Sequence, residues 1–181
     1  MGEIMIRPLR PEDAAGYRKM ILKLDEETDF MLYEPGERVQ VMPDDAAAQR
    51  LIADAVRHND LFLAAVDGEE IVGFFMARKG RNIRTAHTAY IVIGVREAWR
   101  HAGIGTAFFA RLEPWAVQEG IVRADLTVEC DNTAAQELYR RSGFETEGRR
   151  RKTMKVHGEY RDEYMMARLF AQEDTDGKET E

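Results

Sequence analysis

Hydrophobic and polar positions change period several times along the chain, and each change marks an element. Ile4 and Ile6 alternate with polar neighbours over residues 3–9, which predicts a first strand closed by Pro8. Pro11 stands near a helix start, with Glu12 and Asp13 in the first turn where the backbone dipole favours acids. Tyr17, Met20, Ile21 and Leu24 recur at helical spacing and are expected on its core side. The period is lost over residues 25–38, where Asp25, Glu26, Glu27, Asp29, Glu34 and Glu37 alternate with Phe30, Met31, Leu32 and Tyr33 before Pro35-Gly36. After Pro43, Asp44 or Asp45 caps a second helix to about Arg57, with Ala48, Leu51, Ile52 and Val56 as its apolar stripe. Strands over 61–66 and 70–78 follow, joined at Asp67-Gly68, a dipeptide that favours a tight hairpin. Residues 81–85 are polar and expected as a loop, and the apolar run 87–95 predicts the next strand.

A helix starting at Gly103 carries Ile104, Phe108, Leu112 and Trp115 on one side. Pro114 conflicts with a straight course to Gly120, because it lacks an N–H and clashes with the preceding turn, so a kink or break is expected within 110–114. Residues 122–129 read as a strand, and strand, helix and strand in succession imply a parallel crossover. Residues 131–144 form a short helix capped by Asp131 or Asn132, with Thr133 and Gln136 at capping-box spacing and Gly143 at its end. Ala135, Leu138 and Tyr139 must pack on the body to hold so short a helix. Two last strands, 145–156 and 161–169, are joined through residues 157–160.

At 181 residues the chain is long enough for one domain, expected over 1–170, without metals or disulfides. Cys130, the single cysteine, excludes an internal disulfide, fits a reducing compartment and is expected as a small packed residue. Formal charge is −7, but residues 171–181 hold Glu173, Asp174, Asp176, Glu179 and Glu181 against Lys178. The body therefore carries only −3, which argues against general nucleic-acid affinity, and the acidic tail is expected to be disordered. With no basic-then-apolar leader and no apolar run near the roughly 20 residues that span a bilayer, a soluble cytoplasmic protein without a membrane partner is expected. His58, His87, His101 and His157 lack metal-ligand spacing, so no metal is expected.

The candidate chemistry begins where the run 91–95 passes through a polar link into Arg100-His101-Ala102-Gly103-Ile104-Gly105-Thr106. A strand, a glycine-bearing turn and a helix start offer free backbone N–H groups and a partial positive charge, which suits a phosphorylated ligand. It is not the dinucleotide fingerprint, because Phe108 occupies the third glycine position, and no Gly-Lys-Ser/Thr is present.

Arg100, Gly103 and Gly105 match the Arg/Gln-x-x-Gly-x-Gly/Ala signature of the GNAT N-acetyltransferase superfamily, and residues 132–144 (Asn, Ala, Leu-Tyr, Gly-Phe) resemble its second motif in the right order. The resemblance implies a single α/β (α+β mixed) domain: a twisted, mostly antiparallel sheet of about seven strands, whose central parallel strands splay apart, with flanking helices. It further implies acetyl-CoA as co-substrate. Its arm would pair with residues 91–95, including Ile93, Gly94 and Val95, and its pyrophosphate would lie on the amides of Arg100, His101, Ala102, Gly103, Ile104, Gly105 and Thr106. By the same correspondence Asn132 contacts the arm and Tyr139 lies near the sulfur. Family precedent favours a homodimer.

Amine acetylation needs a neutral amine, a stabilised oxyanion and a proton for the departing thiolate. A phenol stays protonated at neutral pH, so Tyr139 is the candidate acid, and a backbone N–H around Gly94 or Val95 is the candidate oxyanion donor. Glu129 and His87 are the candidate bases, acting directly or through water. The imidazole has the better intrinsic pKa, and the carboxylate the better position. The acidic, aromatic stretch 25–38 suits a small amine or polyamine acceptor, with a protein N-terminus as a third class, attacked directly in a ternary complex. Two rival readings are a non-catalytic acyl-CoA-binding regulatory module, and an RNA-associated protein using Arg149-Arg150-Arg151-Lys152, a run expected instead as a solvated strand face.

Overall fold

A computed structural model describes residues 2–171; apart from Ala171, the acidic tail lies outside the described residues. The strands are β1 (Ile4–Pro8), β2 (Leu61–Asp67), β3 (Glu70–Lys79), β4 (Thr88–Val95), β5 (Arg123–Glu129), β6 (Glu145–Val156) and β7 (Glu159–Leu169). They form one seven-stranded sheet in the order β1-β2-β3-β4-β5-β7-β6. Every neighbouring pair is antiparallel except β4 and β5. The parallel β4–β5 pair is the crossover that strand, helix and strand in succession predict, and the mostly antiparallel seven-stranded sheet around it is the one the resemblance implies.

Helices cover both faces. On one, α1 (Ala14–Glu27) and α2 (Asp45–Arg57) bury Tyr17, Met20, Ile21, Leu24, Ala48 and Ile52 against Phe62, Ala64, Val66 and Phe74. Tyr17 meets Phe62 and Phe74 edge-on at 5.3 and 5.8 Å between centroids, the geometry aromatic quadrupoles favour. Asp44 caps α2, its side chain accepting from the Ala47 N–H at 2.8 Å. The α2 stripe differs by one step from expectation: Ala55 is buried while Val56 is 55% exposed. The 3.6-residue period turns position 55 inward once Ala48 and Ile52 are fixed.

The other face carries α3 (Ile104–Phe109), α4 (Leu112–Glu119) and α5 (Thr133–Arg141), packed over Phe75, Ile91, Leu126 and Val128. The expected break is real. Between α3 and α4 residues 110–111 keep right-handed backbone angles but the i→i−4 ladder lapses at Arg111, whose N–H bonds Phe108 O instead, and Pro114 sits in the first turn of α4, where the N–H it lacks has no intrahelical partner. At α5 the cap is Asn132, whose Oδ1 accepts from the Ala135 N–H at 3.2 Å. Gln136 does not close a capping box; it is buried and donates to the carbonyls of Glu129 and Cys130 at 3.2 and 3.0 Å, tying the end of β5 to α5. Gly143, at φ +85°, ends the helix as expected.

In the stretch 25–38, Asp25 is fully packed and binds Arg38 through two hydrogen bonds of 2.6 and 2.8 Å, with the guanidinium 4.5 Å from the centre of the Tyr33 ring. This pair anchors the segment to α1. Asp25→Ala strands a buried cation, and a loss of about 3–5 kcal/mol is expected in denaturant unfolding. A loss below about 1 kcal/mol would mean that the loop is held by something else.

Candidate active site

The β3–β4 ladder fixes which way β4 presents its backbone. Arg96 N donates to Val72 O at 2.9 Å and Gly80 N to Thr88 O at 3.0 Å, and the register between these bonds is unbroken. Because bonded and non-bonded positions alternate in an antiparallel pair, Tyr90, Val92 and Gly94 spend their backbone groups on β3, and Ile91, Ile93 and Val95 turn theirs toward β5. The parallel register with β5 stops at Tyr90–Asp125, and from Leu126 onward β5 pairs with β7 alone. A wedge opens between residues 91–95 and 126–129.

That phase corrects one expectation. The Gly94 N–H lies on the β3 side, so of the two oxyanion donors considered only Val95 keeps its N–H on the wedge. Gly94 is required for space: a Cβ there would run into Leu24 of α1 and come within 2.9 Å of Phe74. Ile93 offers the wedge its N–H and carbonyl, and the Val95 carbonyl accepts from Arg100 Nε at 3.1 Å.

The link beyond Val95 is tied down by acids from the body. Glu27 binds Arg96 Nε and the Glu97 N–H, both at 2.8 Å, and Asp67 accepts from Trp99 Nε1 at 2.9 Å. Past Arg100 the chain is exposed at His101, Ala102, Gly103 and Thr106. His101 and Gly103 hold φ of +62° and +79°, and a Cβ at Gly103 would meet nothing within 4 Å. The backbone at Gly103 therefore borders open space at the start of α3, where the first helical N–H groups have no intrahelical partner. Ile104 is 4% exposed and contributes only its backbone. Gly105 serves packing, since a Cβ there would come within 2.7 Å of Leu138 on α5.

Alternation along β5 places its side chains on opposite faces. Leu126 and Val128 join the α3–α5 core with Tyr139, while Thr127 and Glu129 face the α1 side. Thr127 Oγ1 and the Tyr90 hydroxyl meet at 3.0 Å across the apex of the wedge. Tyr139 is buried against Phe109 and Phe144, at centroid distances of 5.8 and 6.3 Å. Among the described residues its hydroxyl makes no hydrogen bond, and burial, with Tyr90 nearby, pushes its pKa above the ordinary phenol value.

Glu129 is 5% exposed at the end of β5. Its Oε2 accepts from Arg161 Nη1 at 3.2 Å, and its buried Oε1 has no partner. Burial raises its pKa above the usual carboxylate range, with Arg161 pulling the other way. Asn132 spends Oδ1 on its cap and keeps its amide N–H groups.

His87 does not join these residues. It is exposed and precedes β4 at the closed end of the β4–β5 pair, where its carbonyl accepts from Val122 N at 2.8 Å. At ~3.3 Å per residue it lies about 25 Å along the strand from Val95, so the structure does not bring it to the wedge.

On the α1 side of the sheet, residues 28–37 face β6 across a cavity of about 320 Å³, lined by Asp29, Met31, Leu32, Tyr33, Met154 and Val156 among others. His157 at the β6–β7 turn reaches Asp29 at 3.1 Å and bridges its two walls. A recess of about 580 Å³ on the outer side of α1 touches neither strand of the wedge.

The run 149–152 departs from simple alternation. β6 slips register between Arg150 and Met154, Lys152 takes φ +55°, and Arg149 and the Lys152 N–H converge on Asp162. Among the described residues no His, Cys, Asp or Glu cluster could hold a metal, and no helix is long and apolar enough to cross a membrane. Sequence reasoning missed Arg161, which meets Glu129 only through strand pairing across 32 residues. No local spacing signals it.

Comparison with known proteins bears on the family and the fold. Residues 22–144 match the Acetyltransferase (GNAT) family. An L-amino acid N-acetyltransferase of Escherichia coli (strain K12) is 32% identical over 131 residues, which cover 70% of this chain and 78% of that protein. A GNAT-family acetyltransferase from Streptococcus pneumoniae superposes with a TM-score of 0.86 at 24% identity, covering 93% of this chain and 100% of that one. A phosphinothricin acetyltransferase from Sinorhizobium meliloti, in complex with acetyl-CoA, superposes with a TM-score of 0.81 at 20% identity, covering 98% and 94%.

Proposed function

Because the chain belongs to the acetyltransferase (GNAT) family and is an acetyl-CoA-dependent acyltransferase, we propose that it acetylates a small primary amine by direct attack in a ternary complex, with the wedge between β4 and β5 as its centre. The observation that carries this is the division of chemistry across the wedge: a buried carboxylate with an unpaired oxygen on one face, a buried phenol on the other.

Acetyl-CoA supplies an activated thioester when bound; the open backbone at Gly103 and the start of α3 suit its phosphates, and the unpaired edge of β4 suits its amide-bearing arm. Ile93 holds the arm through its N–H and carbonyl, the Val95 N–H is kept for the thioester carbonyl, the amides over 100–106 take the pyrophosphate, and the Asn132 amide reaches the arm. Glu129 Oε1 accepts the ammonium proton, directly or through a water. The free amine forms its N–C bond to the thioester carbon while the Val95 N–H meets the negative charge growing on the carbonyl oxygen; as the C–S bond breaks, the Tyr139 hydroxyl gives its proton to the sulfur and regains one from the acylated nitrogen, and Glu129 releases the first proton to water. Glu129 and Tyr139 on opposite faces let acceptor and donor approach from opposite sides.

The acceptor class narrows. Of the acids in the stretch 25–38, Asp25 is committed to Arg38, Glu27 to Arg96 and Asp29 to His157. A compact amine therefore suits the site better than a long polycation, and the similarity to an L-amino acid N-acetyltransferase supports a small acceptor. A panel of amines with acetyl-CoA and thiol detection tests the proposal. Turnover of a small primary amine is expected; thiol release with none of them would refute it.

A methyl group at Gly103 projects into the open space where the phosphate is placed, and its strain at positive φ burdens free and bound protein alike. Gly103→Ala is expected to raise the acetyl-CoA Kd by about tenfold, about 1.4 kcal/mol, through this steric loss. Equal affinity in a titration would move the phosphate elsewhere.

A further inference from the structure

Resting on the acetyl-transfer proposal above, we infer that the acceptor is an α-amino acid, with Arg161 as the residue that selects it by binding its carboxylate. The guanidinium is held through one nitrogen only: Nη1 donates to Glu129 Oε2 at 3.2 Å and to Asp131 Oδ2 at 3.1 Å. Among the described residues its Nε and Nη2 make no hydrogen bond. Those two nitrogens form the edge that pairs bidentately with a carboxylate. The side chain is 24% exposed, so this edge is neither sealed in protein nor fully given to water. Its neighbour Glu129 presents the complementary vacancy, a buried Oε1 without a donor.

A single pair of touching side chains thus offers one acceptor for an ammonium and one fork of donors for a carboxylate. An α-amino acid carries those two groups on one carbon, so its recognition elements must be neighbours, as these are. A polyamine would set a cation against Arg161 with nothing to use the fork, and a protein N-terminus presents a neutral carbonyl at that place. Arg161 faces two acids, Glu129 and the 57% exposed, water-screened Asp131, and an incoming ammonium offsets the Glu129 charge, so the free edge of the guanidinium is left for the carboxylate; Glu163 is engaged by Arg150 at 3.5 Å. Met154, the cross-strand partner of Arg161, also lines the cavity beneath residues 28–37, whose wall mixes Met31, Leu32 and Tyr33 with Asp29, Glu34 and Glu37 and leaves room for an amino-acid side chain.

The test compares L-leucine, L-leucinamide and isopentylamine as acceptors, and L-phenylalanine with its amide, for the wild type and Arg161→Gln. The amides have the more acidic ammonium groups, so intrinsic reactivity favours them. A bidentate charged pair is expected to reverse that order, giving the free amino acid about 10–100-fold higher kcat/KM than its amide. In Arg161→Gln the preference should collapse toward unity, chiefly through KM for the amino acid, and Arg161→Lys should restore part of it. Amides or decarboxylated amines used as well as amino acids by the wild type, or a preference that survives in Arg161→Gln, would overturn the inference while leaving acetyl transfer intact. Thiol release with none of the five acceptors would remove the acetyl-transfer proposal and this inference together.

Discussion

Tyr139→Phe is expected to lower kcat by about 10²-fold or more at saturating substrates, the usual contribution of a positioned general acid. The substitution removes one oxygen and keeps the ring that packs on Phe109 and Phe144, so the melting temperature and acetyl-CoA affinity should hardly move. The hydroxyl has no hydrogen-bond partner among the described residues, so its loss leaves no orphaned group behind. Burial keeps the phenol protonated well past neutrality, and its donor role should therefore impose no fall in rate across the neutral range. An unchanged kcat in Tyr139→Phe would reduce this residue to a core aromatic.

Glu129→Gln is expected to cost a similar factor, about 10²-fold, in kcat/KM, together with a change in pH dependence. The base must be ionised to accept a proton. Burial holds its pKa above the ordinary carboxylate range, so activity is lost as pH falls through that raised value and is retained above it. The wild-type profile should show an acid limb displaced upward from where exposed carboxylates titrate, and the amide variant should lack it. A normal limb persisting in Glu129→Gln would assign the proton to water or to another group. Because Gln136 fixes the β5 end through the backbone carbonyls of Glu129 and Cys130, the variant keeps its place in the structure.

Much of the fold is legible locally. The hairpin at Asp67-Gly68, the Asp44 cap, the break imposed by Pro114 and the left-handed Gly143 each follow from residue chemistry at one position. The two motifs locate the wedge for the same reason: one supplies a positive-φ glycine over open space, the other a helix carrying Tyr139. What was hidden depends on partners distant in sequence. The fate of the acids in 25–38 turned on Arg38, Arg96 and His157, which lie on three separate elements. His87 precedes β4 and Glu129 ends the neighbouring β5, yet only the parallel register reveals that one marks the closed end and the other the open end. Whether Gly94 or Val95 turns an N–H to the wedge depends on the phase of the β3 ladder, a property of pairing rather than of either residue.

Backbone amide exchange on β4, followed residue by residue with and without acetyl-CoA, tests the wedge most directly. In the free protein the amides of Ile93 and Val95 face an open gap, whereas those of Val92 and Gly94 are already bonded to β3. Adding acetyl-CoA should slow exchange at Ile93 and Val95, along with the amides over 101–106, and leave Val92 and Gly94 little changed. Saturating acetyl-CoA with no added protection at Ile93 and Val95 would contradict a donor site between β4 and β5.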